Sequence, residues 1–142
     1  MTVVAAVDCG TNSIRLLVAK PATDGPLVDV HREMRVVRLG QGVDATGQFA
    51  PEAIERTRVA LADYVEVMVV AGVQRVRMVA TSATRDAANR DEFFAMTAEL
   101  LGRVVPGARA EVITGDEEAR LSFRGAVGNI FYLDNLIRRF VR

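Results

Sequence analysis

The first twenty residues restrict the fold of this chain more than any other stretch. Residues 3–7, VVAAV, form a short apolar run of the kind found in strands buried at the centre of a sheet. A second apolar run, residues 14–19, follows after only a short polar turn. No helix fits in that gap, so the two runs predict an antiparallel hairpin with a buried first strand.

The rest of the chain alternates between strand-like and helix-like patterns. A loosely alternating stretch predicts a third strand over residues 27–38, and a Gly-rich loop follows it. Pro51 opens a long helical pattern that ends near Gly72, because proline suits the first turn of a helix and glycine suits its end. The remaining predicted elements are a strand in RVRMVATSA that runs into a polar loop, a helix over residues 90–101, a strand in ARAEVIT and a helix from Thr114 to about Ala126.

This order of elements predicts an α/β fold. Three antiparallel strands come first, and helix and strand then alternate. Because crossovers between parallel strands are right-handed, the last two strands join the same sheet with helices on its faces. The prediction is a mixed five-stranded sheet, the ribonuclease H-like arrangement. Many unrelated activities occur on that arrangement, so the fold alone does not decide the function.

Composition and charge restrict the number of domains, the classes of partner and the cellular location expected for this chain. Its 142 residues suit one domain, and an apolar content of 50% is enough for a sizeable core. Basic and acidic residues, 18 of each, give no general attraction to nucleic acid or to an anionic membrane. No apolar stretch reaches the roughly 18 to 20 residues that span a bilayer. The single cysteine, Cys9, forms no internal disulfide, and Asp8 interrupts the run that a signal peptide would need, so a cytoplasmic location is expected.

The turn after the first strand, DCGTNS, has two interpretations. In one, it is only a hairpin turn, with Gly10 and Asn12 adopting unusual backbone angles and hydroxyl side chains capping free amides. In the other, the successive N–H groups of Gly10, Thr11, Asn12 and Ser13 bind an anion, and Asp8 holds a metal ion or orients water. A dinucleotide site is excluded, because a strand rather than a helix follows the turn.

A stretch after the fourth strand favours the second interpretation. TSATRDA, residues 81–87, lies where the loops of a parallel sheet bind ligands. Its Arg85 stands among small hydroxyl residues, a setting in which a guanidinium binds phosphate. The alternative is a solvated arginine that pairs with Asp86 or Asp91. Since the loops after the first, fourth and fifth strands can meet at one end of the sheet, we expect a phosphate site there.

The stretch after the fifth strand, TGDEEARLSF, begins the last predicted helix. Thr114 and Glu117 have the spacing of a capping box, and acids in the first turn suit the helix dipole. These roles leave Glu118 without a structural explanation. A carboxylate beside a phosphate site can orient or deprotonate water, so Glu118 is the candidate general base.

Four motifs in this order resemble one family. The chain closely resembles the exopolyphosphatase and guanosine pentaphosphate phosphatase (Ppx/GppA) family, of the actin-like ATPase superfamily, in VAAVDCGTNSIRLLVA, RLGQGVD, VATSATRDAANRDEF and VITGDEEARLSFRGA. The likeness runs from about Val3 to Ala126. It implies hydrolysis of a phosphoanhydride bond, with release of the terminal phosphate of polyphosphate or of the 5′ γ-phosphate of guanosine pentaphosphate (pppGpp).

The resemblance also implies roles for single residues. Asp8 would act near a magnesium ion, the usual divalent ion of the family. Glu118 would be the catalytic base that activates the attacking water. The positions that match the family's phosphate-binding residues are Gly10, Thr11, Asn12, Ser13 and Arg85.

The end of the sequence departs from the family. Members continue into a second domain that opens with an Asp-x-Gly-Gly-Gly-Ser phosphate loop, whereas FRGA is followed here by VGNIFYLDNLIRRFVR. The expected organisation is a Ppx/GppA-type N-terminal domain over residues 1–127 and a divergent tail over residues 128–142. Such a truncated chain, with about half of the phosphate-binding groups, is expected to be weakly active or inactive alone. The alternative is a non-catalytic module that binds phosphate-rich ligands or a protein, and association of copies through an exposed apolar face is expected.

Overall fold

The computed structural model describes residues 2–20 and 28–117. Residues 115–117 are helical, and the rest of the helix predicted up to Ala126 lies outside the described residues. The strands are β1 Val3–Cys9, β2 Ser13–Lys20, β3 Val28–Val36, β4 Val73–Ala80 and β5 Ala110–Val112. The helices are α1 Val43–Thr46, α2 Pro51–Ala71, α3 Ser82–Asp86 and α4 Arg90–Leu101. None of these helices combines the length and the apolar character needed to cross a bilayer.

All five strands form one sheet in the order β3-β2-β1-β4-β5. β1 pairs antiparallel with β2 and parallel with β4, while β2 pairs antiparallel with β3 and β4 pairs parallel with β5. The predicted mixed five-stranded α/β sheet is therefore confirmed. Since β1, β4 and β5 run in the same direction, their carboxyl ends lie at one edge of the sheet.

The central strand β1 is buried almost throughout, as its apolar run predicted. Six of its seven residues are buried. The alternate residues Ala5, Val7 and Cys9 belong to the hydrophobic core that includes the buried sides of α2 and α4. Asp8 therefore points to the opposite face of the sheet, where it is only 5% exposed.

Helix α2 has the boundaries that the sequence predicted. Pro51 occupies its first turn, and Gly72 ends it with a left-handed backbone (φ 75°). The hydroxyl of Tyr64 donates a hydrogen bond to the Ile14 carbonyl (2.8 Å), which ties α2 to the start of β2. The residues predicted to form the apolar face are all buried, and they are Ile54, Leu61, Val65 and Met68.

Local predictions were wrong where short elements depend on tertiary contacts. The polar loop predicted after β4 contains α3, and the Gly-rich loop before α2 contains α1. Helices of about one turn are marginal by themselves and form where packing stabilises them. The third strand ends at Val36 rather than at residue 38, because Arg38 adopts a left-handed backbone (φ 52°) that a strand does not accommodate. The fifth strand covers only Ala110–Val112 of the predicted ARAEVIT.

Candidate functional site

The loops after β1, β4 and β5 meet at one edge of the sheet, as the sequence predicted. The Thr81 N–H, after β4, donates to the Cys9 carbonyl at the end of β1 (3.2 Å). The Ile113 N–H, after β5, donates to the Ala80 carbonyl at the end of β4 (3.3 Å). The hydrogen-bond ladder thus continues past the strand ends and joins the three loops.

The turn after β1 closes through a hydrogen bond from the Gly10 N–H to the Ser13 carbonyl (3.0 Å). The unusual backbone angles expected for Gly10 and Asn12 are absent, because neither residue has a positive φ. A Cβ on Gly10 would lie at an ordinary contact distance, 3.7 Å, from the Ser13 carbonyl oxygen. Special glycine geometry therefore does not shape this turn.

The loop after β3 holds the turn from one side. The N–H groups of Val37 and Arg38 both donate to the Asn12 carbonyl oxygen (3.0 and 2.9 Å). The Gly40 N–H donates to the Thr11 carbonyl oxygen (2.8 Å). These three bonds fix the direction of two successive peptide units in the turn, Thr11–Asn12 and Asn12–Ser13.

This loop, residues 37–40, is called the clamp loop below, and it orients the amides of the turn. Because a peptide unit is planar and trans, its C=O and its N–H point in opposite directions. The N–H groups of Asn12 and Ser13 consequently point away from the clamp loop. Successive N–H groups that face one side form a concave site for an anion. The turn therefore presents two amide donors to one side, as a phosphate-binding loop does.

Close packing of the clamp loop on the turn requires glycine at position 40. A Cβ on Gly40 would lie 2.3 Å from Cγ2 of Thr11 and 3.3 Å from the Thr11 carbonyl oxygen. The first distance is far shorter than any normal contact between carbon atoms. This contact was not predicted from the Gly-rich stretch, although Gly40 is the signal that indicates a close approach of two backbones.

Asp8 lies directly opposite Arg15 in the β1–β2 ladder. Its Oδ2 forms an ion pair with Nη2 of Arg15, and the carboxylate is buried while the arginine is half-buried. Burial, and to a smaller degree the charge of Asp8, raises the pKa of the Cys9 thiol far above its usual range. Cys9 is therefore a neutral core residue, as predicted, and Asp8 is the charged group at the end of β1.

Arg85 lies in α3 and reaches the loop after β5. Its Nη1 donates to the Ile113 carbonyl (2.8 Å), so the guanidinium joins two of the three loops. The alternative that the sequence offers, an ion pair with Asp86 or Asp91, involves carboxylate acceptors, whereas this acceptor is a backbone carbonyl. The neighbouring Thr84 is 1% exposed, and its Oγ1 accepts and donates no hydrogen bond within residues 2–20 and 28–117.

Glu118, the candidate general base, lies outside the described residues. The residue before it is described, and the Glu117 N–H donates to Oγ1 of Thr114 (3.1 Å), which confirms one half of the predicted capping box. The Glu117 carboxylate lies 3.5 Å from Nη2 of Arg77, whose Nε also pairs with Glu111 (2.7 Å). This charged network anchors the start of the helix beside β4 and β5.

The described side chains offer few ligands for a metal ion. Across residues 2–20 and 28–117, no three His, Cys, Asp or Glu side chains form a group that could hold one. Mg²⁺, however, often binds through one or two carboxylates and completes its shell with water and substrate phosphate oxygens. The carboxylate of Asp8 fits that pattern, because it lies on β1 just before the turn.

Comparison with known proteins supports, over most of the chain, the family resemblance that the sequence motifs indicate. Residues 17–136 match the sequence model of the Ppx/GppA phosphatase family. Exopolyphosphatase 2 of Mycobacterium tuberculosis is 67% identical over 133 residues, which make up 92% of this chain and 42% of that protein. This chain thus spans about two fifths of the length of that curated relative.

Solved structures share the fold. The Ppx/GppA family member of Aquifex aeolicus superposes with a TM-score of 0.72 at 35% identity, covering 86% of this chain and 38% of that one. An exopolyphosphatase from Cytophaga hutchinsonii superposes with a TM-score of 0.76 at 28% identity, covering 88% of this chain and 38% of that one. The predicted actin-like ATPase fold is confirmed by these neighbours. With matching sequence over residues 17–136 and a matching fold, the chain belongs to the Ppx/GppA phosphatase family.

Proposed function

We propose that this chain supplies the phosphate-binding half of an exopolyphosphatase-type active site, which releases the terminal phosphate of polyphosphate. The observation that carries the proposal is the orientation of the Asn12 and Ser13 N–H groups, which the clamp loop directs to one side of the turn. The relative from M. tuberculosis is named for exopolyphosphatase activity, which supports polyphosphate as the substrate. Guanosine pentaphosphate is the alternative substrate, because it ends in the same kind of phosphoanhydride.

The proposed roles follow from the chemistry of phosphoryl transfer. The protein contributes mainly by positioning the reactants and neutralising charge on the phosphoryl oxygens. The attacking water oxygen forms a bond to the terminal phosphorus while the bond from phosphorus to the bridging oxygen breaks. Glu118 accepts the proton that the water loses. The proposed ligands of the phosphate oxygens are Thr11, Asn12, Ser13 and Arg85. Gly10, which the sequence analysis also assigned to phosphate, donates its N–H to the Ser13 carbonyl and closes the turn that carries them.

A magnesium ion is the proposed cofactor, and Asp8 is its proposed protein ligand. When bound, such an ion neutralises negative charge on phosphate oxygens. Arg15 supports this role of Asp8 because the ion pair fixes the direction of the carboxylate. The buried position of Asp8 on the central strand also limits its movement.

Three further expectations stay predictions. The division into a domain over residues 1–127 and a tail over residues 128–142 is checked by limited proteolysis. Association between copies of the chain is checked by analytical ultracentrifugation. The cytoplasmic location is checked by fractionation of cells that express the chain.

Phosphate release tests the proposed activity. The chain is incubated with Mg²⁺ and either polyphosphate or guanosine pentaphosphate, beside its Glu118→Gln and Glu117→Gln variants. Both substitutions remove one carboxylate, at neighbouring positions in the sequence. Glu117, however, pairs with Arg77 and has no proposed contact with substrate. We expect weak release by the unchanged chain, loss of that release in Glu118→Gln, and release within about twofold of the unchanged chain in Glu117→Gln.

Binding separates the proposed activity from the non-catalytic alternative. Calorimetric titration with tripolyphosphate and Mg²⁺ measures whether the turn binds phosphate at all. Binding without release by any of the three proteins would favour the phosphate-binding module. Absence of binding up to about 1 mM ligand, an affinity of only about 4 kcal/mol, would contradict both functions.

A further inference from the structure

Arg56, near the start of α2, binds the clamp loop and its next residue with one side chain. Its Nε donates to the Val37 carbonyl (2.8 Å). Its Nη2 donates to Oε1 of Gln41 (2.6 Å) and contacts the Arg38 carbonyl oxygen (3.4 Å). Three acceptors on one short segment therefore meet a single guanidinium from a neighbouring helix.

The peptide groups that Arg56 binds are the ones beside the turn. Val37 and Arg38 present their carbonyls to Arg56, and their own N–H groups donate to the Asn12 carbonyl. Arg38 does this with a φ of 52°, a left-handed backbone that costs a non-glycine residue about 1 kcal/mol or more. Such a backbone persists where surrounding contacts determine it. Arg56 supplies such contacts from outside the phosphate-binding turn.

Helix α2 supports the turn on a second side as well. The buried hydroxyl of Tyr64 donates to the Ile14 carbonyl, one residue after the turn ends. The helix itself is fixed by an apolar face that is buried in the core. One rigid helix thus holds both segments that frame the turn, β2 through Tyr64 and the clamp loop through Arg56.

We infer that Arg56 is a positioning residue for the phosphate-binding turn. By fixing the clamp loop, it fixes the carbonyls of Thr11 and Asn12, and with them the direction of the two N–H groups that face the anion. Arg56 acts through the clamp loop and does not touch the ligand. The inference rests on the proposed function of the turn.

Arginine suits this position better than lysine does. A planar guanidinium donates to several acceptors at once, whereas an ammonium group is a point donor on a flexible stem. Arg56→Lys can therefore restore one of the three contacts but not all of them. Arg56→Met keeps the stem and removes all three hydrogen-bond contacts, while the apolar packing of Val37 and Leu39 in the core remains.

The first measurement is ligand-free hydrogen exchange of the Val37, Arg38 and Gly40 amides, the three that donate to the turn. We expect Arg56→Met to accelerate their exchange at least tenfold, the equivalent of ~1.4 kcal/mol of lost protection. Exchange in β4 should change much less. This measurement needs no phosphate, so it tests the contact even if the turn binds no ligand.

The second measurement is tripolyphosphate affinity in the presence of Mg²⁺. We expect Arg56→Met to weaken binding about tenfold, Arg56→Lys to be intermediate, and Gln41→Ala to weaken binding about twofold, because it removes one of three acceptors. Arg58→Met is the matched control, since Arg58 is exposed and pairs with Glu55. Val65→Ala is the control for stability, because it destabilises α2 at a buried position that forms no hydrogen bond to the clamp loop and lies later in the helix than Arg56.

The exchange and affinity measurements test the role of Arg56 and the proposed function separately. Unchanged amide exchange in Arg56→Met would overturn the inference, because the clamp loop would then be held without Arg56. Faster exchange with unchanged affinity would also overturn it, because the clamp loop would not position the turn. An equal loss of affinity in Val65→Ala would reduce Arg56 to a general stabilising residue. Absence of binding by the unchanged chain would instead contradict the proposed function.

Discussion

Strand β1 reaches the candidate site with six of its seven residues buried, whereas β3 reaches it with none of its residues buried. In the part of the chain that the structure describes, β1 has a strand on each side and β3 has only β2. Both strands nevertheless lead into segments that bind each other, the turn and the clamp loop. The contrast teaches that the turn continues from a buried strand, whereas the clamp loop follows an exposed one and depends on its own contacts. Those contacts are the buried side chains of Val37 and Leu39 and the hydrogen bonds from Arg56.

The largest expected effect tests the buried strand. Val7 is fully buried on β1, and we expect Val7→Ala to lower the free energy of unfolding by about 2 kcal/mol, because apolar burial is lost and a cavity remains. Val36 on β3 is 56% exposed, and Val36→Ala should change that free energy by less than about 0.5 kcal/mol. Urea denaturation measures both. Equal losses would remove the contrast between the two strands.

An intermediate effect is expected where the two segments touch. Gly40→Ala places a methyl group against Thr11, and we expect the free energy of unfolding to fall by about 1 to 2 kcal/mol, with weaker tripolyphosphate binding. Adding Thr11→Ser removes the clashing Cγ2 and should recover part of the stability. Gly115→Ala is the control, because none of the described residues lies within 4 Å of its Cβ position. If the double variant recovers no stability, contact with Cγ2 of Thr11 is not the cause of the destabilisation in Gly40→Ala.

The smallest effect on the free energy of unfolding is expected from Glu33 on the exposed strand β3, and it depends on pH. Hydrogen bonds from His31 and Arg35 lower the pKa of Glu33. A lowered pKa means that its stabilising contribution is present above the unfolded value, about 4.3, and is lost as the pH falls through the folded value. Glu33→Gln should therefore be less stable than the unchanged chain at pH 7, by less than ~1 kcal/mol, and the difference should shrink as the pH falls below the unfolded value.

Urea denaturation across that pH range measures the difference between the two proteins. Glu92→Gln, at an exposed position on α4, removes the same charge away from β3. A difference that stays constant from pH 7 to pH 3 would show that the Glu33 ion pairs do not stabilise the strand.

The hairpin, the sheet and α2 could be predicted because their signals are local. Apolar runs, a short turn, and a proline and a glycine at the helix ends all lie within the elements that they specify. The hydrogen bonds of the clamp loop could not be predicted, because they join backbone groups that are distant in sequence. Gly40 marks a close approach of two backbones but does not identify the partner. Arg85 illustrates the same limit, since it donates to the carbonyl of Ile113, an acceptor that no sequence pattern indicates.

The pairing of β1 with β4 has a consequence for how the chain folds. Val3 pairs with Val73 and Cys9 with Ala80, so β1 is synthesised long before its parallel neighbour. The hairpin with β2 needs only local contacts, whereas the parallel pairing requires closure of a long loop, which slows folding. Until α2 and β4 have left the ribosome, one edge of β1 therefore has no neighbour, and its backbone groups are open to other chains. The strand that carries Asp8 is best protected in the finished protein and most vulnerable while it is being made.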